Sequence, residues 1–233
     1  MKKRRIVALL IAALLTGMAG TVAAQSVGGG VSVWIPESLS LTGVGSVSVE
    51  TAAGSSVSMG DFLSFPFGVV YNQVYALMPE IDGTVGAAPW FYADTVTGFL
   101  MAKLRLPAGP VYLDAFGGLA GFWNATLRPL TKTIERAAAP ENRLYSFEAP
   151  PAVTGGRFGW GWQAGGGIGV RIDRITVDLN VTYRTVRSDA TITGTYSEID
   201  TGAGTVTTGL PYEQPLGIRL AGLSVGIDAS FDL

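Results

Sequence analysis

The chain has no cysteine and no histidine, and only 15% of its 233 residues are charged. Without Cys there can be no disulfide, and the acylated cysteine of a lipoprotein is excluded too. Without His, a nucleophilic Ser lacks its usual base, and zinc lacks its usual ligands. Lysine is scarce as well: past residue 24 only Lys103 and Lys132 remain, so a Ser–Lys pair has little support. No apolar run of about 18 residues follows the first two dozen, which leaves no candidate transmembrane helix.

The start reads MKKRR, then IVALLIAALL, then small residues through Val22, Ala23 and Ala24. A basic start, a short apolar run and an Ala-rich end describe a secretory signal peptide. We expect residues 1–24 to be that signal and 25–233 to be one domain. Without Lys2, Lys3, Arg4 and Arg5 the chain carries 12 basic against 18 acidic side chains, a charge of −6. Nucleic acid needs a basic footprint and is an unsuitable partner.

Glycine is abundant, with 32 residues, and the mean hydropathy is positive at +0.35. An apolar exported chain without helical spans can still cross lipid as a closed β-barrel, whose strands satisfy one another's backbone hydrogen bonds. The alternation supports this. Trp160, Trp162, Ala164, Gly166, Ile168, Val170 and Ile172 share one phase, and Ile175, Val177, Leu179, Val181 and Tyr183 resume it after Asp173-Arg174. Flanking residues of a two-residue hairpin point the same way, so the two strands agree across the turn. A second hairpin turns at Pro107–Pro110: Leu100, Ala102, Leu104 and Leu106 precede it, and Val111, Leu113, Ala115, Leu119 and Trp123 follow. Pairing Leu106 with Val111 puts Lys103 opposite Asp114, and Asp178 falls diagonal to Arg171 in the first hairpin. Leu223 to Leu233 repeats the pattern to the chain's end.

The opposite phase is rich in Gly, Ser, Thr and Asn, which suits a narrow interior better than a water-facing exterior. It also carries Lys103, Arg105, Asp114, Arg171, Asp178, Arg184 and Asp228. These seven read as a closed network of lumen ion pairs in a barrel too narrow for a channel, with an ion or solute path as the other reading. Trp123, Trp160, Trp162 and Tyr183 lie in the apolar phase about 8–12 residues from the tight turns, where an aromatic girdle meets the membrane interface. Tight turns at 107–110 and 173–174 contrast with longer connections at 79–96, 128–156 and about 188–216. Counting strands from these turns gives eight, with 27–35, about 39–50 and about 63–77 preceding residue 98 and 52–62 as turn or short helix. Ten strands is the runner-up. A soluble sandwich or lipocalin-like barrel is the competing fold, since alternation alone does not say which face is wet.

The fold class expected is therefore all-β: a closed antiparallel transmembrane up-and-down β-barrel. The signal, the alternating strands, the Gly-rich GGGIGVRI strand and the terminal amphipathic strand together resemble the small eight-stranded outer-membrane barrels of the OmpA/OmpX-like superfamily. The resemblance implies a bacterial outer-membrane location, lipid as the surrounding partner, and a monomer. It also implies recognition of the terminal strand by the barrel-assembly machinery. That strand usually closes on an aromatic residue, whereas this one closes on Leu233 with Phe231 nearest in phase.

Other chemistry is thin. Glu135, Glu141 and Glu148 share one connection, and Asp94 and Asp114 could share a barrel, but solvated charges and lumen pairs explain them more simply. The run Gly165–Gly169 lacks the following helix of a phosphate loop. Large neighbours projecting inward would explain these glycines. We expect no catalytic residues, no cofactor and no metal site. The function expected is that of a non-enzymatic structural or surface-interacting barrel, with 128–156 and 188–216 as external loops. A conduit for small solutes or hydrophobic ligands is the alternative.

Overall fold

The computed structural model describes residues 26–37, 48–59 and 62–233. The expected signal segment lies outside them. Among the described residues, eleven strands form one antiparallel sheet: β1 (Ser26–Pro36), β2 (Ser48–Met59), β3 (Leu63–Ile81), β4 (Thr84–Val85), β5 (Phe91–Ala108), β6 (Val111–Pro129), β7 (Arg143–Phe147), β8 (Ala152–Gly155), β9 (Phe158–Ile172), β10 (Ile175–Asp200) and β11 (Thr205–Asp232). One helix, α1 (Thr131–Ala138), follows β6.

Eight strands close a ring. The order β1-β2-β3-β5-β6-β9-β10-β11 returns to β1 through an eleven-pair ladder from Ser26↔Asp232 to Pro36↔Gly222. Closure leaves no free edge around the ring. The tight turns, Ser26 and Asp232 lie on one rim; the longer excursions lie on the other, here called the loop side.

The expected strands over 98–106, 111–127 and 175–187 fall inside observed strands, and those over 157–172 and 217–233 overrun β9 and β11 by one residue each. Three expectations need correction. The second strand, expected over 39–50, is β2 at 48–59; residues 39–47 lie outside the described residues. Its sequence, SVETAAGSSVSM, has almost no apolar alternation. Register to β1 and β3 specifies it, with Gly28↔Gly54↔Gly68 aligned across three strands. Second, the connection at 188–216 is an extension of β10 and β11 with its turn at Thr201–Gly204. Third, β3 runs on to Ile81 and β5 begins at Phe91, so the 79–96 connection shrinks to 82–90, with a turn at Asp82-Gly83 and a short β4. In the 128–156 connection, α1 is followed by β7 and β8, which both pair with β10.

The two faces are inverted relative to a water-soluble protein. Leu100, Leu104, Leu113, Leu119, Leu179, Val181, Val225 and Ile227 are exposed outside, while Glu50, Asn72, Asp114, Gln163, Asp178, Asn180, Arg184 and Ser224 are buried inside. On the loop side the interior changes character. Leu77, Phe91, Phe122, Val186, Ile192, Ile218 and Leu220 fill it, with Ile134 of α1 and Phe147 of β7 added from above. There β1 has ended and β11 pairs directly with β3, Gly217↔Glu80 to Arg219↔Met78. Fewer strands enclose less space, so apolar side chains fill this section completely.

Candidate functional site

The lumen is the candidate site, and strand register places its side chains. Inward positions of β6 face inward positions of β9 in the order Tyr112↔Gly169, Asp114↔Gly167, Phe116↔Gly165, Ala120↔Gly161 and Phe122↔Gly159. Each large β6 side chain thus meets a glycine. A methyl group at Gly165 would lie 2.8 Å from the Phe116 ring, so the GGG run is a steric match to its neighbour strand. It is no phosphate loop.

Six of the seven expected network residues face the enclosed lumen. Lys103 Nζ lies 2.5 Å from Asp114 Oδ2 and 3.1 Å from Asp178 Oδ2, and Arg105 Nε lies 3.2 Å from Asp114 Oδ1. The Arg105 guanidinium also stacks 3.8 Å from the Tyr112 ring centre, while the Tyr112 hydroxyl donates to Asp178. Asn180 Nδ2 donates to Asp228 Oδ2 at 2.7 Å. Arg171 sits at the tight-turn rim, its side chain about half exposed, 2.8 Å from Asp232.

One expected pairing is corrected, and the expected diagonal of Asp178 and Arg171 holds in register without forming an ion pair. Leu106 pairs with Leu113 and Ala108 with Val111, so Arg105, not Lys103, stands opposite Asp114; the turn is tighter than assumed and shifts the register by two. Lys103 still reaches Asp114 diagonally. Asp178 lies opposite Gly169 and is held by Lys103 and Tyr112, while Arg171 turns to Asp232.

A second cluster closes the lumen midway. Arg184 Nη1 lies 3.0 Å from Glu50 Oε1 and 3.0 Å from the Tyr75 hydroxyl oxygen, and its Nε donates to Gln163 Oε1 at 3.0 Å. Glu50 also accepts from Tyr75, from Ser32 at 2.9 Å and from Ser224 at 2.7 Å. Trp34 packs edge-on to Tyr75 at 5.3 Å. Trp34, Tyr75, Glu50 and Arg184 are all at most 3% exposed. This layer separates the polar chamber on the tight-turn side from the apolar fill on the loop side.

Sequence reasoning singled out Arg184 but missed its partners. Glu50 alternates with Val49 and so carried a phase signal, in the strand whose bounds were misplaced. Strict alternation from Leu63 puts Tyr75 and Leu77 in phase with Phe65, Val69 and Tyr71. A bulge between Asn72 and Tyr75 shifts the phase and turns both inward. Below the layer lies a cavity of about 210 Å³.

Trp123, Trp160, Trp162 and Tyr183 all lie on the outer face. Trp160 and Trp162 are strongly exposed, and Trp162 contacts Tyr183 at 5.5 Å between ring centres. Tyr183 donates to Glu37 at 2.8 Å and accepts from Arg219 at 3.3 Å. Phe158, opposite Trp123 on β9, joins this belt.

No model of a known protein family matches the chain, and no curated protein matches it. Among solved structures it is similar to the outer membrane protein AlkL, determined by solid-state NMR in DMPC lipid bilayers. The identity is 13%, the alignment covers 90% of this chain and 91% of that one, and the TM-score is 0.38.

Proposed function

We propose that the protein is a non-enzymatic integral β-barrel of the bacterial outer membrane, with the extended β10–β11 hairpin and the α1–β8 segment as its surface-interacting part. The observation that carries this reading is the inverted pattern of faces. A belt of exposed Leu, Ile and Val surrounds a ring whose interior holds buried carboxylates, amides and guanidinium groups. In water such a belt would be a large aggregation-prone patch; against acyl chains it is the favourable arrangement. The Trp and Tyr belt fits an interfacial girdle at the loop-side edge. Lipid is then the partner of the outer face. Assembly through the terminal strand is part of the proposal, with Phe231 as the aromatic in phase.

A conduit is the second reading, favoured by the cavity on the tight-turn side. The buried Glu50–Arg184–Trp34–Tyr75 layer and the apolar fill above it count against a continuous path. The test is twofold. The folded chain extracted in detergent should migrate differently on a gel before and after boiling, and it should precipitate when the detergent is removed. A chain that stays monodisperse in plain buffer defeats the barrel reading. In planar bilayers the conductance should be silent, and steady channels would select the conduit instead.

A further inference from the structure

Among the described residues one lumen carboxylate, Asp228, forms no ion pair. Lys103 is shared by Asp114 and Asp178, Arg105 adds to Asp114, Arg184 is matched by Glu50 and Arg171 by Asp232. Asp228 is left with the neutral amide of Asn180. Asp178 also lies directly across the ladder from it, and like charges so placed repel. With the rim pair Arg171–Asp232 set aside, three basic side chains face four acidic ones in the enclosed lumen, and the surplus charge sits at Asp228.

Asp228 and Asn180 line the 210 Å³ cavity. The same cavity is lined by Val70, Phe99, Met101 and Phe116. Around Ser26, Gly28 and Gly54 its wall is made of small residues, which is why the space is open. A carboxylate without an ion pair calls for a donor cation. Phenyl rings attract a cation too, and apolar walls favour hydrocarbon.

We infer that this cavity binds a small organic ammonium, its charged end paired with Asp228 and its hydrocarbon against the Phe99–Phe116 side. The inference rests on the barrel reading above, because only an enclosed lumen shelters the site from bulk water. Access is from the tight-turn rim, since the Glu50–Arg184 layer closes the other end.

The test is calorimetric titration of the folded chain, in dodecyl maltoside and 150 mM NaCl, with n-butylammonium chloride and separately with n-butanol. The ammonium should bind saturably and at least tenfold tighter than the alcohol. Asp228→Asn should weaken it about tenfold, and Glu213→Gln, on the exposed hairpin, should leave it unchanged. Equal binding of amine and alcohol, no binding of either, or full affinity in Asp228→Asn overturns the inference. Should Asp228→Asn not fold, the comparison of the two probes on the unaltered chain still decides. The boiling-dependent gel shift, run on the same sample, separates the two failures. A chain without the shift defeats the barrel, and a shifted chain without ammonium preference defeats only the site.

Discussion

At the scale of single residues, the lumen is a sequence of steric and ionic matches, and each match makes a prediction. Arg184 and Glu50 are buried at 3% and 1% side-chain exposure. Breaking a buried pair costs about 3–5 kcal/mol, because the remaining charge is stranded. The two halves are not equivalent. Without Arg184, Glu50 keeps hydroxyl donors from Tyr75, Ser32 and Ser224. Without Glu50, the guanidinium keeps only Gln163 and Tyr75 as acceptors, and an arginine cannot shed its charge. Glu50→Gln should therefore destabilise by about 3–5 kcal/mol and Arg184→Met by less, as read from urea unfolding in lipid vesicles; equal losses would contradict this asymmetry. Gly165 supplies a second prediction. An added methyl group meets the Phe116 ring and the Val181 carbonyl oxygen, so Gly165→Ala should cost about 1–3 kcal/mol by overpacking. Phe116→Leu in the same chain should recover only part of it, because the carbonyl belongs to the backbone ladder. The phase of Asp114, Asp178 and Arg184 was legible because their strands alternate cleanly. Who pairs with whom was not, since a two-residue error in one turn moved Arg105 into the place given to Lys103.

At the scale of elements, legibility followed the strength of alternation. β5, β6, β9 and the lower parts of β10 and β11 present an apolar residue at nearly every second position, and their spans were readable. β2 is built of Ala, Gly and Ser, and partner strands rather than its own pattern place it. β3 carries a pattern but also a bulge, so a reading that assumed strict alternation misassigned Tyr75 and Leu77. The upper hairpin of β10 and β11 was hidden for a related reason. Thr, Gly, Pro and Glu crowd residues 188–216, a composition suited to loops, yet the long ladder continues through Asp200↔Thr205 with one irregularity between Tyr196 and Glu198. Its tip is fixed locally. The Asp200 carboxylate accepts the backbone N–H of Gly202 at 2.9 Å and of Ala203 at 2.8 Å. The Ala203 and Gly202 bonds hold this exposed carboxyl below the usual aspartate range. A lowered folded value stabilises the tip fully above the ordinary value of about 3.9, and the contribution is lost as pH falls through the lower folded value. Amide protection at Gly202 and Ala203, exchange taken relative to the intrinsic rate at each pH, should be present at neutral pH and fall at strongly acid pH, and Asp200→Asn should remove the acid step. Exchange with no acid step in the unaltered chain would count against the carboxylate as the lock.

At the scale of the whole molecule, one sequence supports two opposite cores. On the tight-turn side the charges are inside and the grease outside; on the loop side the interior is apolar and is covered by α1 and β7. Eight strands give way to a narrower wall where β11 meets β3, and the polarity of the fill changes at the Glu50–Arg184 layer. The outer surface decides which solvent the molecule was built for. Leu179 lies on that surface at 50% exposure, one position from buried Asp178 and Asn180. If the belt faced water, Leu179→Arg would be an ordinary surface change, within about 0.5 kcal/mol. Facing acyl chains near the middle of the bilayer, it should cost about 2–4 kcal/mol. Measured by reversible unfolding from lipid vesicles, the larger loss is expected. At Leu106, by the tight turn and 65% exposed, the same substitution should cost no more than about 1 kcal/mol, because the penalty fades toward the interface. A flat response along the wall would mean that no hydrocarbon slab surrounds it, whereas a penalty that peaks at Leu179 and falls toward Leu106 measures the slab directly.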